Sequence, residues 1–215
     1  MLTIFIIPFL VLCYLIGSIP VGLLIVKLST GRDIRHVESG RTGGTNAMRA
    51  AGFWAGLLTA ILDILKSAVC VWLAQIWFSE NIWIEIFAPI LAILGHNYSI
   101  FLVERNETGR LRLRGGAGGA PCVGGSFGLW APSILIIVPM GALILYFIGY
   151  ASIATLSIAF LSTIIFAYRA WIGISPWQYA MYGLISAVLL IWALRPNIRR
   201  LLSGNERLVG YRAKK

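Results

Sequence analysis

Long apolar runs alternate along this chain with short polar stretches. The long runs cover residues 2–28, about 52–78, about 83–102, 132–149, 152–169 and about 177–194. Each is long enough to predict a membrane-spanning helix, because roughly 17–25 predominantly apolar residues cross the hydrocarbon core of a bilayer. A shorter run over 120–130 predicts only a short helical segment. The expected fold is therefore all-α, a polytopic membrane helix bundle of about seven helices in one domain spanning 1–215. Within the first run, Gly17-Ser18-Ile19-Pro20-Val21-Gly22 allows close helix approach, and Pro20 removes a backbone donor and predicts a kink.

Composition agrees with that class. Hydrophobic residues make up 59% of the chain and charged residues only 12%, which excludes an ordinary soluble domain. A net charge of +10 could suggest nucleic acid, but the cations fall in short clusters between apolar runs, a pattern that orients membrane proteins. No nucleic-acid partner is expected. The N-terminal run carries no charge before Lys27, so it lacks the basic region of a cleaved signal peptide and is expected to remain as the first span. Cys13, Cys70 and Cys122 have neither CxxC spacing nor companion histidines, so core packing is their default role and no metal site is expected.

Placing the N-terminus outside puts three basic clusters on the cytoplasmic side, together with the C-terminus. They are Lys27 to Arg49, Arg105 to Arg114, and the tail from Arg195 to Lys215. Glu80 and Glu85 then fall outside. This topology gathers Ser39 to Arg49, the His96 end of the third span, the glycine stretch, the Tyr150–Ser152 turn and Asn197 at one membrane face.

The polar stretches carry the candidate chemistry. In ESGRTGGTNAMR, residues 38–49, Gly43 and Gly44 allow a tight turn, and Thr45 or Asn46 can cap a helix that starts at Ala47. The free N–H groups and positive dipole end of such a helix attract phosphate, and Arg41 and Arg49 can add guanidinium forks. A basic loop that only obeys membrane topology would carry similar arginines. Asp63 and Lys66 are three residues apart on one helix face, able to form either a structural ion pair or part of a site. His96, with Asn97 beside it, is a candidate hydrogen-bonding group. Gly115, Gly116, Gly118 and Gly119 could form an anion cradle or a plain linker, since their spacing is not that of a P-loop.

Taken together, YLIGSIPVG at 14–22, DIR at 33–35, SGRTGGTNAMR at 39–49, Asp63 with Lys66, GH at 95–96 and NIRRLLSGNE at 197–206 carry a resemblance. The chain resembles the bacterial membrane acyltransferases that move an acyl group from acyl phosphate to glycerol 3-phosphate, forming lysophosphatidic acid in phospholipid synthesis. The resemblance implies seven spans, an outside N-terminus, the bacterial cytoplasmic (inner) membrane and an active site at its cytoplasmic side. It implies acyl phosphate, glycerol 3-phosphate and membrane lipids as partners. Ser39, Arg49 and His96 take catalytic positions. Arg41, Gly43, Gly44, Thr45, Asn46, Ser152 and Asn197 take substrate-binding positions, as do Gly115, Gly116 and Gly118 of the glycine stretch. Two positions depart from the family pattern: FKGGKG is replaced by Leu113-Arg114-Gly115-Gly116-Ala117-Gly118, and the family histidine three residues before Asn197 is Leu194. Ala117 stands where the family has a phosphate-binding lysine, so Arg112 and Arg114 are the expected substitutes.

Such chemistry needs neither metal nor cofactor. Acyl phosphate is a mixed anhydride with a good leaving group, so orientation and stabilisation of phosphate charge can carry much of the catalysis. HExxH does not occur, and the acceptor supplies its own hydroxyl as nucleophile, which disfavours a serine acyl-enzyme. An anion transporter built on the same polar interior and a non-catalytic lipid-binding protein are the alternatives. The topology is testable in a background lacking the native cysteines. Cysteines at Arg110 and Arg207 should react with an impermeant maleimide only from the cytoplasmic side, and one at Glu80 only from outside.

Overall fold

The computed structural model describes residues 2–105, 109–209 and 211–212. Its first span runs from Ile6 to Thr30 and is broken at Pro20 into α1 (Ile6–Ser18) and α2 (Val21–Thr30). Pro20 has no N–H to continue the helical ladder, and the chain restarts with Leu24 N–H donating to the Pro20 carbonyl. Gly31, at φ +70, ends α2 in the left-handed conformation that glycine adopts without penalty. A loop with one 3-10 turn (Ile34–His36) leads to α3 (Gly44–Ala51) and then to α4 (Phe53–Trp77).

After α5 (Ile82–Asn97) come two strands, β1 (Ser99–Arg105) and β2 (Leu111–Arg114), and then α6 (Gly119–Leu129), α7 (Ile134–Ile148), α8 (Ala151–Trp171) and α9 (Gln178–Leu202). Among the described residues, five helical segments are long and apolar enough to cross a membrane: 6–30, 53–77, 131–148, 151–171 and 178–202. The chain is mostly helical, as its hydrophobic pattern predicts, and the short helix expected over 120–130 is α6.

Three boundaries differ from the expectation. The third span stops at Asn97 instead of continuing to Leu102, because Ser99 Oγ donates to the Ser18 carbonyl and β1 pairs antiparallel with β2. The alternating Ser99-Ile100-Phe101-Leu102-Val103 segment suits a strand better than a helix. The first run yields two helices rather than one, and the helix expected from Ala47 starts earlier, at Gly44, with Gly43 at its N-cap, so Thr45 and Asn46 lie inside α3 and do not cap it. The last helix continues through Pro196 to Leu202, carrying Asn197 and Arg200 on one helical surface.

The two short helices, α5 and α6, occupy the interior. Ile86 and Ile93 of α5 and Cys122 of α6 are fully buried, packed with Val71, Phe166, Tyr182 and Leu190. Tyr182 donates its hydroxyl proton to the Cys122 carbonyl at 2.7 Å, pinning α9 to α6. Outward-facing Trp54, Trp171 and Trp192 are exposed, as lipid-facing aromatics should be. Cys13, Cys70 and Cys122 are free and buried, in keeping with a packing role.

Backbone contact between α1 and α5 sets where His96 sits. A Cβ on Gly17 would fall against the Ala92 carbonyl, and one on Gly95 against the Tyr14 carbonyl. Small residues at such crossings let helices in lipid gain dispersion contacts that larger side chains would prevent. Gly95→Val should push α5 away from α1 and cost about 1–3 kcal/mol as an overpacked core substitution, read as a lower unfolding temperature in detergent micelles.

Candidate active site

The loop between α2 and α3 is held by side chains that donate to backbone carbonyls. Asn46 Nδ2 donates to the carbonyls of Ile34 (3.3 Å), Val37 (3.0 Å) and Arg41 (2.8 Å), folding the loop back over the start of α3. Thr42 N–H donates to the Gly115 carbonyl at 3.3 Å. Arg41 reaches further. Its Nη1 donates to the Gly116 carbonyl at 2.8 Å, while Nη2 donates to the Ala193 carbonyl at 2.7 Å and to Asn197 Oδ1 at 3.2 Å. One guanidinium thus joins the first polar loop, the glycine stretch and α9. Burial lowers its pKa from the usual guanidinium value, yet none of these three acceptors is a carboxylate, so its charge is not cancelled by an ion pair there.

An ion network pins the hairpin to the same loop. Glu104 on β1 pairs with Arg35 at 2.8 Å and with Arg114 at 2.8 Å, and Arg35 also pairs with Asp33 at 2.6 Å. The hydrogen bonds from the Arg35 side chain hold the Asp33 carboxyl down at about 2.

These elements enclose a cavity of about 500 Å³. Three helix N-termini open on it: α3 through Gly43, Gly44, Thr45 and Asn46, α6 through Gly118, Gly119 and Ala120, and α8 through Ala151 and Ser152. None has a side-chain cap, so their first-turn N–H groups lack the usual capping partner. Aligned peptide dipoles give each terminus a partial positive charge, which makes the shared space a site for an anion. Arg49 lines it and makes no hydrogen bond or ion pair among the described residues. Ser152 is 2% exposed and its Oγ has no hydrogen-bond partner among the described residues. Arg200 and Arg207 also line the cavity, tempered by Glu206 at 3.1 Å and Glu38 at 2.6 Å.

The other part of the lining is apolar. Ile137, Val138 and Leu145 of α7, Ala154 and Ile158 of α8, Val123 of α6 and Ile64 of α4 extend the space into the bundle. Most of the remaining α7 surface is exposed, where it would meet lipid. One cavity therefore offers an anion end and a hydrocarbon end.

Most residues singled out from the sequence meet here. Ser39, Arg41, Gly43, Gly44, Thr45, Asn46, Arg49, His96, Gly118, Ser152 and Asn197 all line the cavity. Arg112, Arg114, Gly115 and Gly116 do not. Arg114 is turned to Glu104 and the Arg35 carbonyl, and Arg112 is exposed on β2 opposite Glu104. The expected arginine substitution for the missing lysine is thus corrected: neither side chain lines the space beside Ala117. Gly115 and Gly116 are buried against His96 and Asn97, where a Cβ on either would collide. Close packing, not an open cradle, explains those two glycines.

Sequence reasoning missed Arg200, Arg207 and Glu206. A usable signal lay in NIRRLLSGNE, where Arg200 follows Asn197 by three residues and so shares its helical face. The α8 N-terminus was flagged through Ser152, but its dipole contribution depends on where the helix points.

This arrangement defines an integral membrane protein whose cavity joins helix N-termini and guanidiniums to an apolar lining. The family model described as Glycerol-3-phosphate acyltransferase matches residues 7–204. The chain belongs to that family. A Thermus thermophilus protein named glycerol-3-phosphate acyltransferase is 35% identical, with 95% of each chain covered. A Prochlorococcus marinus protein of the same name is 36% identical over 90% of this chain and 92% of its own. Among solved structures, the crystal structure of PlsY (YgiH), an integral membrane glycerol 3-phosphate acyltransferase, in its glycerol 3-phosphate form matches with a TM-score of 0.80 and 30% identity, covering 95% of this chain and 96% of that one. Its lysophosphatidic acid form matches with a TM-score of 0.78 and 28% identity, covering 95% of each chain. These relatives favour an acyltransferase over the transporter alternative.

The Arg41 strap generates a stability prediction. Arg41→Lys keeps the charge but replaces a planar fork by one point donor, so it cannot serve Gly116, Ala193 and Asn197 together. At least one buried carbonyl should lose its partner at a cost of about 1–3 kcal/mol, measured by thermal unfolding in micelles.

Proposed function

We propose that this protein transfers an acyl group from acyl phosphate to glycerol 3-phosphate, releasing lysophosphatidic acid and inorganic phosphate. The observation that carries this reading is the union of three uncapped helix N-termini with an apolar channel in one cavity. Both substrates are phosphate monoanions or dianions, and the donor also carries a hydrocarbon chain. The uncapped N-termini and Arg49 suit the phosphate oxygens, with Arg41 nearby as a further uncancelled charge. Ile137, Val138, Leu145 and Ile158 suit the acyl chain.

In the reaction a glycerol hydroxyl oxygen bonds to the acyl carbon, the bond from that carbon to phosphate oxygen breaks, and the hydroxyl proton leaves with the phosphate. The leaving group is already good, so the protein's main tasks are to align the two substrates and to stabilise charge on the carbonyl and phosphate oxygens. Ser39 lies at the loop that bears Arg41, and Ser152, in the first turn of α8, brings a hydroxyl without a hydrogen-bond partner among the described residues. Both suit hydrogen bonding to substrate oxygens. Asn197 Nδ2 donates to Glu206 and its Oδ1 accepts from Arg41, so its contribution is to hold those charges in place. Asn46 likewise acts by shaping the loop. Ala117 and Leu194 line the cavity where related chains carry a cation and a histidine, which leaves Arg49, Arg41, Arg200 and Arg207 as the guanidiniums of this cavity.

Purified protein supplied with acyl phosphate and glycerol 3-phosphate should form lysophosphatidic acid, and absence of product from folded protein rejects the reading. Arg49→Ala should lower kcat/KM for glycerol 3-phosphate by roughly 10–100-fold, the equivalent of one charge-assisted contact. A folded Arg49→Ala protein with the parent rate at limiting glycerol 3-phosphate excludes that role. Arg112→Ala should stay within about threefold of the parent, as a surface charge outside the site.

A further inference from the structure

Lys66 lies one turn along α4 from Asp63, and both are buried beside His96 of α5. The Lys66 ammonium touches three groups: Asp63 Oδ1 at 2.8 Å, His96 Nδ1 at 2.9 Å and the Ile19 carbonyl at 3.3 Å. The Ile19 carbonyl is within reach because Pro20 breaks the first span beside it. A buried ion pair rarely adds stability over an apolar pair, since two desolvated charges offset their mutual attraction. Its retention next to a cavity histidine therefore calls for a reason beyond packing.

The contacts specify a tautomer. An ammonium has protons to give and no lone pair to offer, so His96 Nδ1 must be the acceptor in the 2.9 Å contact. A neutral imidazole carries one ring proton, which then resides on Nε2. Asp63 is the competing neighbour, since a carboxylate would instead favour a proton on Nδ1. Its Oδ1 stands 3.4 Å from that nitrogen, longer than an ordinary N–H···O bond. Nε2 has no hydrogen-bond partner among the described residues and abuts Gly116, where any Cβ would strike the ring. His96 lines the cavity.

We propose that Lys66, held by Asp63, is a positioning residue that fixes His96 as the Nε2–H tautomer and so makes it a hydrogen-bond donor into the anion end of the cavity, not a proton acceptor. The assignment of what that donor meets, a phosphate oxygen or the developing oxyanion, rests on the acyl-transfer reading above. With Nε2 already protonated, His96 cannot take the hydroxyl proton of glycerol 3-phosphate there. That proton leaves on the departing phosphate, and the bonds and charges balance without a protein base.

The chain has two histidines, so His36→Gln leaves His96 as the sole reporter. Protein labelled with 15N-histidine in micelles, examined near neutral pH by long-range 15N–1H correlation, should show a neutral ring protonated at Nε2. A ring protonated at Nδ1, or at both nitrogens, overturns the proposal. Lys66→Met in that background should move the proton to Nδ1, facing Asp63, and lower kcat/KM by about tenfold or more, through kcat where the donor meets the oxyanion and through KM where it meets phosphate. Lys66→Arg should restore the Nε2–H signature and part of kcat/KM. An unchanged tautomer in folded Lys66→Met protein overturns the role of Lys66, and if that variant does not fold, the spectrum of the His36→Gln protein decides. The spectrum does not depend on turnover. Absence of acyl transfer with an intact Nε2–H signature would reject the reaction and leave the assignment of Lys66 standing.

Discussion

Arg41 is the interaction on which the polar end of this bundle depends. Three stretches far apart in sequence meet there: the loop before α3, the glycine stretch and α9. A single planar guanidinium satisfies Gly116 and Ala193 and holds the side chain of Asn197. Asn46 does the same for the loop that carries Arg41, through three carbonyls of its own. The site is thereby assembled from backbone groups tied down by buried polar side chains. Groups held this way suit catalysis by orientation and electrostatics.

With those polar side chains committed to the scaffold, the anion field comes from elsewhere. Three helices begin at the cavity without caps, and glycine or alanine at their first turns keeps the N–H groups uncovered. Arg49 adds a charge that no carboxylate among the described residues pairs with. Arg200 and Arg207 contribute under restraint from Glu206 and Glu38, so the cavity rim is cationic without being uniformly so. This distribution bears on the absent lysine and histidine at Ala117 and Leu194. A field spread over helix ends and several guanidiniums is less dependent on any one cation than a site built around a single ammonium.

The hairpin that follows α5 serves the same end by different means. Glu104 ties β1 to Arg35 in the loop before α3 and to Arg114 on β2, so the hairpin also steadies the loop that lines the cavity. The cost is that Arg114 is no longer available to a phosphate. Charge that looks mobile in sequence is committed once a carboxylate lies opposite it across two strands.

The sequence by itself determined the membrane class, nearly every helix and the face at which the polar residues gather. Hydrophobic run length answers directly to bilayer thickness, and a proline such as Pro20 removes a backbone donor wherever it stands. The motif from Ser39 to Arg49 was legible for the same local reason, since glycines, an Asx side chain and a following helix are neighbours in the chain. Only the tertiary structure decided which of those groups bind and which build. Arg41 became a strap because Gly116 and Ala193 are brought to it from 75 and 152 residues away. Gly115 and Gly116 became packing surfaces because His96 and Asn97 lie against them, and Arg112 and Arg114 left the site because strand pairing set them opposite Ser99 and Glu104. Hydrogen bonds and ion pairs depend on distances of a few ångström between residues remote in sequence, and no pattern of neighbouring residues specifies those distances.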